Sequence, residues 1–273
     1  MNISESVISR KGARSPKEVP ADVLSLLNSG AIECVNLSEW LAIDQKHLLK
    51  SVFKDMGFAS LIPEFIETMD GLKKQTATQL IKAIGQLLLD SEQVDDSVQL
   101  RNDLASHKSD TVRCWAAYAT GLDEDLSLEE KFDAISHFAA DNHFGVREIA
   151  WLAMRNDVIG ALDDALEILT EWSRSPDANI RRFASEATRP RGVWCPHIDA
   201  LKDDPSPALP ILEPLKSDPA KYVRDSVGNW LNDASKTCPE WVLAVCDRWT
   251  KESGSNETAY IVKKARRTID KKK

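Results

Sequence analysis

This chain of 273 residues lacks most of the devices by which a sequence announces its chemistry. Its cysteines, Cys34, Cys114, Cys195, Cys238 and Cys246, are odd in number, scattered and without any Cys-x-x-Cys spacing. That pattern excludes a disulfide framework and predicts reduced thiols in a cytosolic protein. His47, His107, His137, His143 and His197 form no His-Glu-x-x-His, so no metal site is expected. No Gly-rich phosphate loop and no Gly-x-Ser-x-Gly elbow occurs, and no cofactor is called for. The longest apolar stretch, residues 80–89, is interrupted by Lys82, Gly85 and Gln86 and is too short to span a bilayer. The first residues are polar and basic, without the apolar core of a secretory signal. Alternation of β-branched residues is scarce. Leu, Ala and charged residues dominate, and the fold class predicted is all-α.

What is present is a repeat. The stretches TVRCWAAYATG from Thr111, GVREIAWLAMR from Gly145, NIRRFASEATR from Asn179 and YVRDSVGNWLN from Tyr222 restate one pattern, and YIVKKARRTI from Tyr260 repeats it loosely. Arg113, Arg147, Arg181 and Arg224 head successive units, and Lys263 follows them. Spacings of this size mean stacked helical hairpins, a solenoid in which no unit buries its apolar side alone. At about 100° per residue, Val146, Ile149, Ala150 and Ala153 share an apolar arc, while Arg147, Glu148, Trp151 and Arg155 share a polar one. Ile180, Phe183 and Ala187 stand against Arg181, Arg182, Ser185, Glu186 and Arg189 in the same way. Val223, Val227 and Trp230 stand against Arg224, Asp225, Gly228 and Asn229. Helices of one phase are expected to line one concave groove. Trp115 and Trp230 fall on the apolar arc and are predicted core.

The net charge of −8 hides an uneven distribution. Residues 1–17, with Arg10, Lys11, Arg14 and Lys17, are basic, and so are residues 261–273, where Lys264 and six further cations lie. The body between is strongly acidic, yet its polar arcs hold more Arg than carboxylate. A basic stripe with two basic ends on an acidic body is what tracking a phosphate backbone requires. The organisation predicted is a basic arm over 1–20, a single repeat domain over 21–270 and a basic tail over 271–273. Helices are expected over 22–28 and 37–56, then over 127–140, 159–173, 208–216 and 239–251 as partners of the repeat helices. A segment from Arg189 to Pro210 breaks the rhythm with five prolines. It carries Arg189, Arg191 and Trp194, and such a stiff loop beside a basic face is expected to be functional.

Each aliphatic-Arg pair has a structural alternative. Asp110, Asp141, Asp177 and Asp218 precede their arginines, as they would in a ladder of caps. Glu148, Trp151 and Arg155 are the sharper candidates: a Trp amid polar residues presents a flat face, and a carboxylate in a basic groove repels the phosphates that the groove attracts.

SRKGAR from Ser9, LNSGAIECVNLSEWLAID from Leu27, FGVRE from Phe144, RRFASEATRPRGVW from Arg181, YVRDSVGNWLNDASK from Tyr222 and IVKKARRTI from Ile261 together resemble the AlkC-type DNA alkylation repair glycosylases, HEAT-like repeat proteins related to the AlkD type. The resemblance covers residues 9–269. It implies a HEAT-like solenoid with a concave basic groove, and removal of 3-methyladenine and similar cationic bases from duplex DNA without base flipping. The chain stops after the last repeat, so the immunoglobulin-like domain of some members is not expected. No Trp-x-x-x-Asp of the AlkD type stands in the repeated stretches, and its catalytic pair is not transferred to them.

The chemistry fits independently. An alkylated purine is already cationic and leaves as a neutral base, so what needs stabilising is the developing oxocarbenium ion and a positioned water. A carboxylate serves both. Glu148 ranks first for that role and Asp225 second, with Glu186 an organiser of Arg182 and Arg189. Arg10, Lys11, Arg147, Trp151, Arg155, Arg181, Arg182, Arg189, Arg191, Trp194, Arg224, Asn229, Lys236 and Lys264 are the expected DNA contacts. The partner is alkylated double-stranded DNA, met by a monomer in a bacterial-type cytosol at the nucleoid, with no membrane. The alternatives are a DNA-binding solenoid without catalysis and a protein-binding scaffold.

Overall fold

The computed structural model describes residues 3–90 and 97–271. Lys272 and Lys273 of the expected 271–273 tail lie outside the described residues. Among the described residues all regular structure is helical, as predicted, and no helix is long and apolar enough to cross a membrane. The principal helices are α1 Ala21–Asn28, α2 Gln45–Asp55, α3 Ile62–Gly71, α4 Ala77–Asp90, α5 Ser97–Ala105, α6 Asp110–Leu122, α7 Leu128–Ala139, α8 Phe144–Ala153, α9 Leu162–Trp172, α10 Ala178–Ala187, α11 Lys221–Ala234, α12 Pro239–Glu252 and α13 Asn256–Asp270.

The chain forms two compact units, residues 1–125 with 142–153, and residues 126–141 with 154–273. In the first, α4 packs on α6 and α6 on α8. Gly85 makes the first contact possible: a Cβ there would lie 2.7 Å from Tyr118 Cβ and 2.9 Å from the Ala119 nitrogen. In the second unit α10 packs on α11 and α11 on α13, with α9 and α12 as hairpin partners. The repeat helices of each unit thus stack side by side, which is what their common phase requires. Trp115 and Trp230 are fully buried. The Trp230 indole donates to the Thr188 carbonyl at 3.0 Å.

Local chemistry explains where helices differ from expectation. The single helix predicted over 37–56 is two, Leu37–Ala42 and α2. Ile43 is extended, and the Asp44 carboxylate caps the second helix by accepting from the amides of Lys46 and His47. Asn36 caps the first through the Glu39 amide, and Gly57 ends α2 at φ 86°. Within the arm over 1–20, Glu5–Ile8 is helical. The helix expected over 208–216 is broken into short turns by Pro210 and Pro214.

Candidate functional site

The repeated arginines close a ladder. Arg113 Nη1 donates to the carbonyls of His107 and Lys108, six and five residues upstream. Arg181 does the same to Ser175 and Pro176, and Arg224 to Asp218 and Pro219. Each guanidinium thereby satisfies carbonyls of the loop before its own helix. Asp218 joins two rungs, accepting from Arg181 Nε at 2.6 Å and Nη2 at 3.1 Å while its other contact receives the Ala220 amide at 2.8 Å. That hydrogen bond raises the Arg181 pKa. Asp177 caps α10 through the Asn179 amide. Arg181 and Arg224 were expected to grip phosphate; the geometry gives both a structural engagement first.

The second unit holds a buried polar network on α10 and α11. Glu186, 5% exposed, pairs with Arg189 at 2.7 Å and Arg182 at 3.5 Å and accepts from the Ser226 hydroxyl at 2.7 Å. Ser185 donates to Ser226 in turn. Burial alone would raise the Glu186 carboxyl, but the two arginine charges and the Ser226 bond outweigh it and hold the group below the usual carboxylate range. Arg189 also binds Asp233, whose other oxygen takes Lys236 Nζ at 2.7 Å. Arg191 Nε donates to the Asp233 carbonyl at 3.3 Å, and Arg182 stacks over Tyr222 at 4.7 Å. Glu186 therefore sits between the arginines as the sequence placed it. Asp233 was missed. It lies in the NDASK stretch that followed the pattern, and its signal was the Lys three residues on.

Arg155 is a correction. The sequence put it on the polar arc as a phosphate anchor, but it is 1% exposed. Its guanidinium donates to the carbonyls of Ala187 at 2.6 Å, Arg189 at 2.7 Å and Pro196 at 3.0 Å. The reason is a break: α8 ends at Ala153, and Arg155 opens a separate helix, Arg155–Gly160. A phase carried through Met154 therefore misplaces it, and the Pro-rich loop covers it. From that loop Val193 and Trp194 project, 72% and 67% exposed.

Trp151 is a second correction: at 8% exposure it offers little open ring face. Its indole N–H instead donates to Glu148 Oε2 at 2.7 Å, one helical turn back, which fixes the orientation of a part-exposed carboxylate. Arg147, on the same helix, is also part-exposed. Asp225, ranked second among the carboxylates, is occupied. Lys221 at 2.7 Å, Tyr260 at 2.6 Å and Lys264 all donate to it. Although burial opposes ionisation, these bonds hold its carboxyl well below the usual range. Gly228 does not make room for DNA: a Cβ there would meet the Lys264 stem at 2.9 Å, so the small residue admits α13. Asn229 is half-buried beside them.

In the arm, Arg10 is a structural cation. It forks onto the buried Glu39 at 2.9 and 2.8 Å and donates to the carbonyls of Val7 and Glu33. Lys11 is exposed next to it. Among the described residues, Cys34, Asp110 and His143 place potential metal donors within 4.8 Å of one another. Their atoms are committed to each other. Asp110 accepts from the Cys34 amide and thiol, and His143 lies 2.7 Å from the Cys34 carbonyl and takes the Gly145 amide. Burial and then the Asp110 charge push the Cys34 thiol up, which favours its protonated, non-ligating form.

By fold this is an all-α helical-repeat protein with buried carboxylate–arginine networks. Residues 151–269 match the family described as DNA alkylation repair enzyme. The chain is similar to Pseudomonas fluorescens alkylpurine DNA glycosylase AlkC, solved bound to DNA containing an abasic site analog: TM-score 0.66, 22% identity, 94% of this chain and 65% of that one. It is also similar to AlkD2 from Streptococcus mutans, with TM-score 0.56 and 24% identity over 76% of this chain and 96% of that one. At these identities the likeness is one of fold. An uncharacterized protein of Bacillus subtilis, YhaZ, is 50% identical over 105 residues, which are 38% of this chain. The chain spans only 29% of that relative's length. The family match covers less than half of the chain, and the two structural neighbours share its helical-repeat fold.

Proposed function

We propose that the chain is a monofunctional DNA glycosylase releasing cationic alkylated purines such as 3-methyladenine from duplex DNA, acting as a cytosolic monomer without base flipping. The observation that carries the reading is Glu148: a part-exposed carboxylate aimed by the Trp151 indole at 2.7 Å, just ahead of the segment 151–269 that matches the DNA alkylation repair enzyme family. In the reaction the C1′–N bond breaks, and its electron pair goes to the purine, which leaves neutral. Glu148 offsets the charge growing on the sugar and orients the water whose oxygen bonds C1′, accepting the water's proton. Trp151 acts as a positioning residue. On the second unit Arg191, Lys236 and Trp194 are assigned to the DNA backbone and duplex surface.

Glu148→Gln tests this. Melting temperature and duplex affinity should hold while base release from methylated DNA falls by at least about 100-fold, the low end for losing a charge contact in the transition state. Base release at the wild-type rate would remove Glu148 from the chemistry, and a wild-type protein forming no abasic sites would end the glycosylase reading.

A further inference from the structure

The sequence pattern begins at Thr111, but the stack in the first unit begins earlier. α4 packs on α6 as α6 packs on α8, so α4 is a member of the same row although its sequence lacks the aliphatic-Arg pair. Leu80, Ile81, Ile84, Leu87 and Leu88 form its buried side. Gln79, Lys82, Ala83 and Gln86, spaced by three and four residues, form the opposite stripe. That stripe and the corner before the helix enclose an open cleft of about 540 Å³, lined by Leu72, Lys73, Lys74 and these four residues. All three lysines are exposed, and among the described residues the lining holds no carboxylate.

The surrounding charges sharpen the point. Asp70, the carboxylate closest in sequence to the corner, is engaged by Lys46, which also binds Gln75 Oε1 at 2.8 Å. Asp90, at the far end of α4, accepts from Gln86 at 2.9 Å. Among the described residues no ion pair is formed by Lys73, Lys74 or Lys82. Several cations elsewhere in this acidic chain are matched: Arg181 by Asp218, Lys216 by Glu252, Lys264 by Asp225. Three unmatched ammonium groups around one concavity hold mutual repulsion that a polyanion relieves, with amide side chains at the rim to donate further bonds.

We propose that this cleft is a phosphate-backbone contact for duplex DNA, carried by Lys73, Lys74 and Lys82 and lying outside the segment where the repeat pattern is legible. The inference rests on the duplex-DNA reading above. Its test is the salt dependence of binding, measured by fluorescence anisotropy on a labelled undamaged duplex. Each phosphate contact contributes about 0.9 to the slope of log K against log salt. K73Q/K74Q/K82Q should therefore flatten the slope by about 2–3 and weaken binding roughly 50- to 500-fold at about 0.1 M salt. Its melting temperature should stay at the wild-type value, because all three side chains are exposed. Lys251→Gln, an exposed lysine on α12, serves as the control and should leave the slope unchanged. A triple variant with the wild-type slope overturns this inference alone and leaves the glycosylase reading standing. A wild-type chain that does not bind duplex DNA at about 0.05 M salt overturns both.

Discussion

Replacing Arg155 with Met separates an anchor for DNA from an anchor for the fold. In the structure the guanidinium makes three charge-assisted hydrogen bonds to the carbonyls of Ala187, Arg189 and Pro196 from a site 1% exposed. Burial lowers its pKa, the expected direction for a cation taken out of water, yet no ordinary pH discharges a guanidinium. At about 1.5 kcal/mol each, the low end for bonds to a charged group, the three sum to about 4–5 kcal/mol. The methionine stem recovers roughly 1 kcal/mol of apolar burial, leaving a loss of about 3–4 kcal/mol. For a chain of this size that lowers the melting temperature by about 6–16 °C. Thermal unfolding followed by circular dichroism measures it, alongside duplex affinity well below the transition. If melting is unchanged while affinity drops tenfold or more, Arg155 faces the ligand and the burial argued here is wrong.

Glu186→Gln should destabilise the protein at neutral pH, and the gap should close on acidification. The carboxyl is held below its unfolded value of about 4.3, so its contribution is complete above that pH and is lost as pH falls toward the folded pKa. A gap of constant size from pH 7 down to about pH 3 would show that Glu186 is not ionised in the fold. Two tryptophans should behave oppositely: Trp230→Ala, fully buried, should cost on the order of 3–5 kcal/mol in stability. Trp194→Ala, 67% exposed, should melt as wild type but bind duplex DNA at least about fivefold more weakly. Equal melting losses for the two would contradict the exposure of the loop.

The repeat helices were legible because their apolar positions recur with the helical period, which depends only on residues within one helix. The same locality placed Trp115 and Trp230 in the core, and Glu186 between Arg182 and Arg189. Arg155 and Trp151 were not legible. Whether a residue on the polar arc meets water depends on what crosses above it, and a loop more than 30 residues later crosses Arg155. The split at Asp44 depended on a side chain capping two amides, a choice a continuous apolar rhythm does not record. The ladder was visible as an alternative, since each Arg had its Asp upstream. Only the carbonyls at five and six residues back decided in its favour for Arg113, Arg181 and Arg224.

Counting cations along the polar arc therefore overstates how many can reach a phosphate, and the consequence is not symmetrical between residues. Arg181 and Arg189 carry carboxylate partners, so most of their charge is cancelled within a few ångströms. Arg155 donates to carbonyls alone, and its positive charge is left beneath the Pro-rich loop. Those same bonds fix the backbone on either side of Val193 and Trp194. An apolar pair held in place before contact loses less conformational freedom on binding than one on a free loop, where ordering costs roughly 0.5–1.5 kcal/mol per side chain. Under the proposed function the buried arginine serves recognition without touching DNA. It holds the backbone on either side of Trp194, over a positive charge that attracts the polyanion Trp194 is proposed to meet.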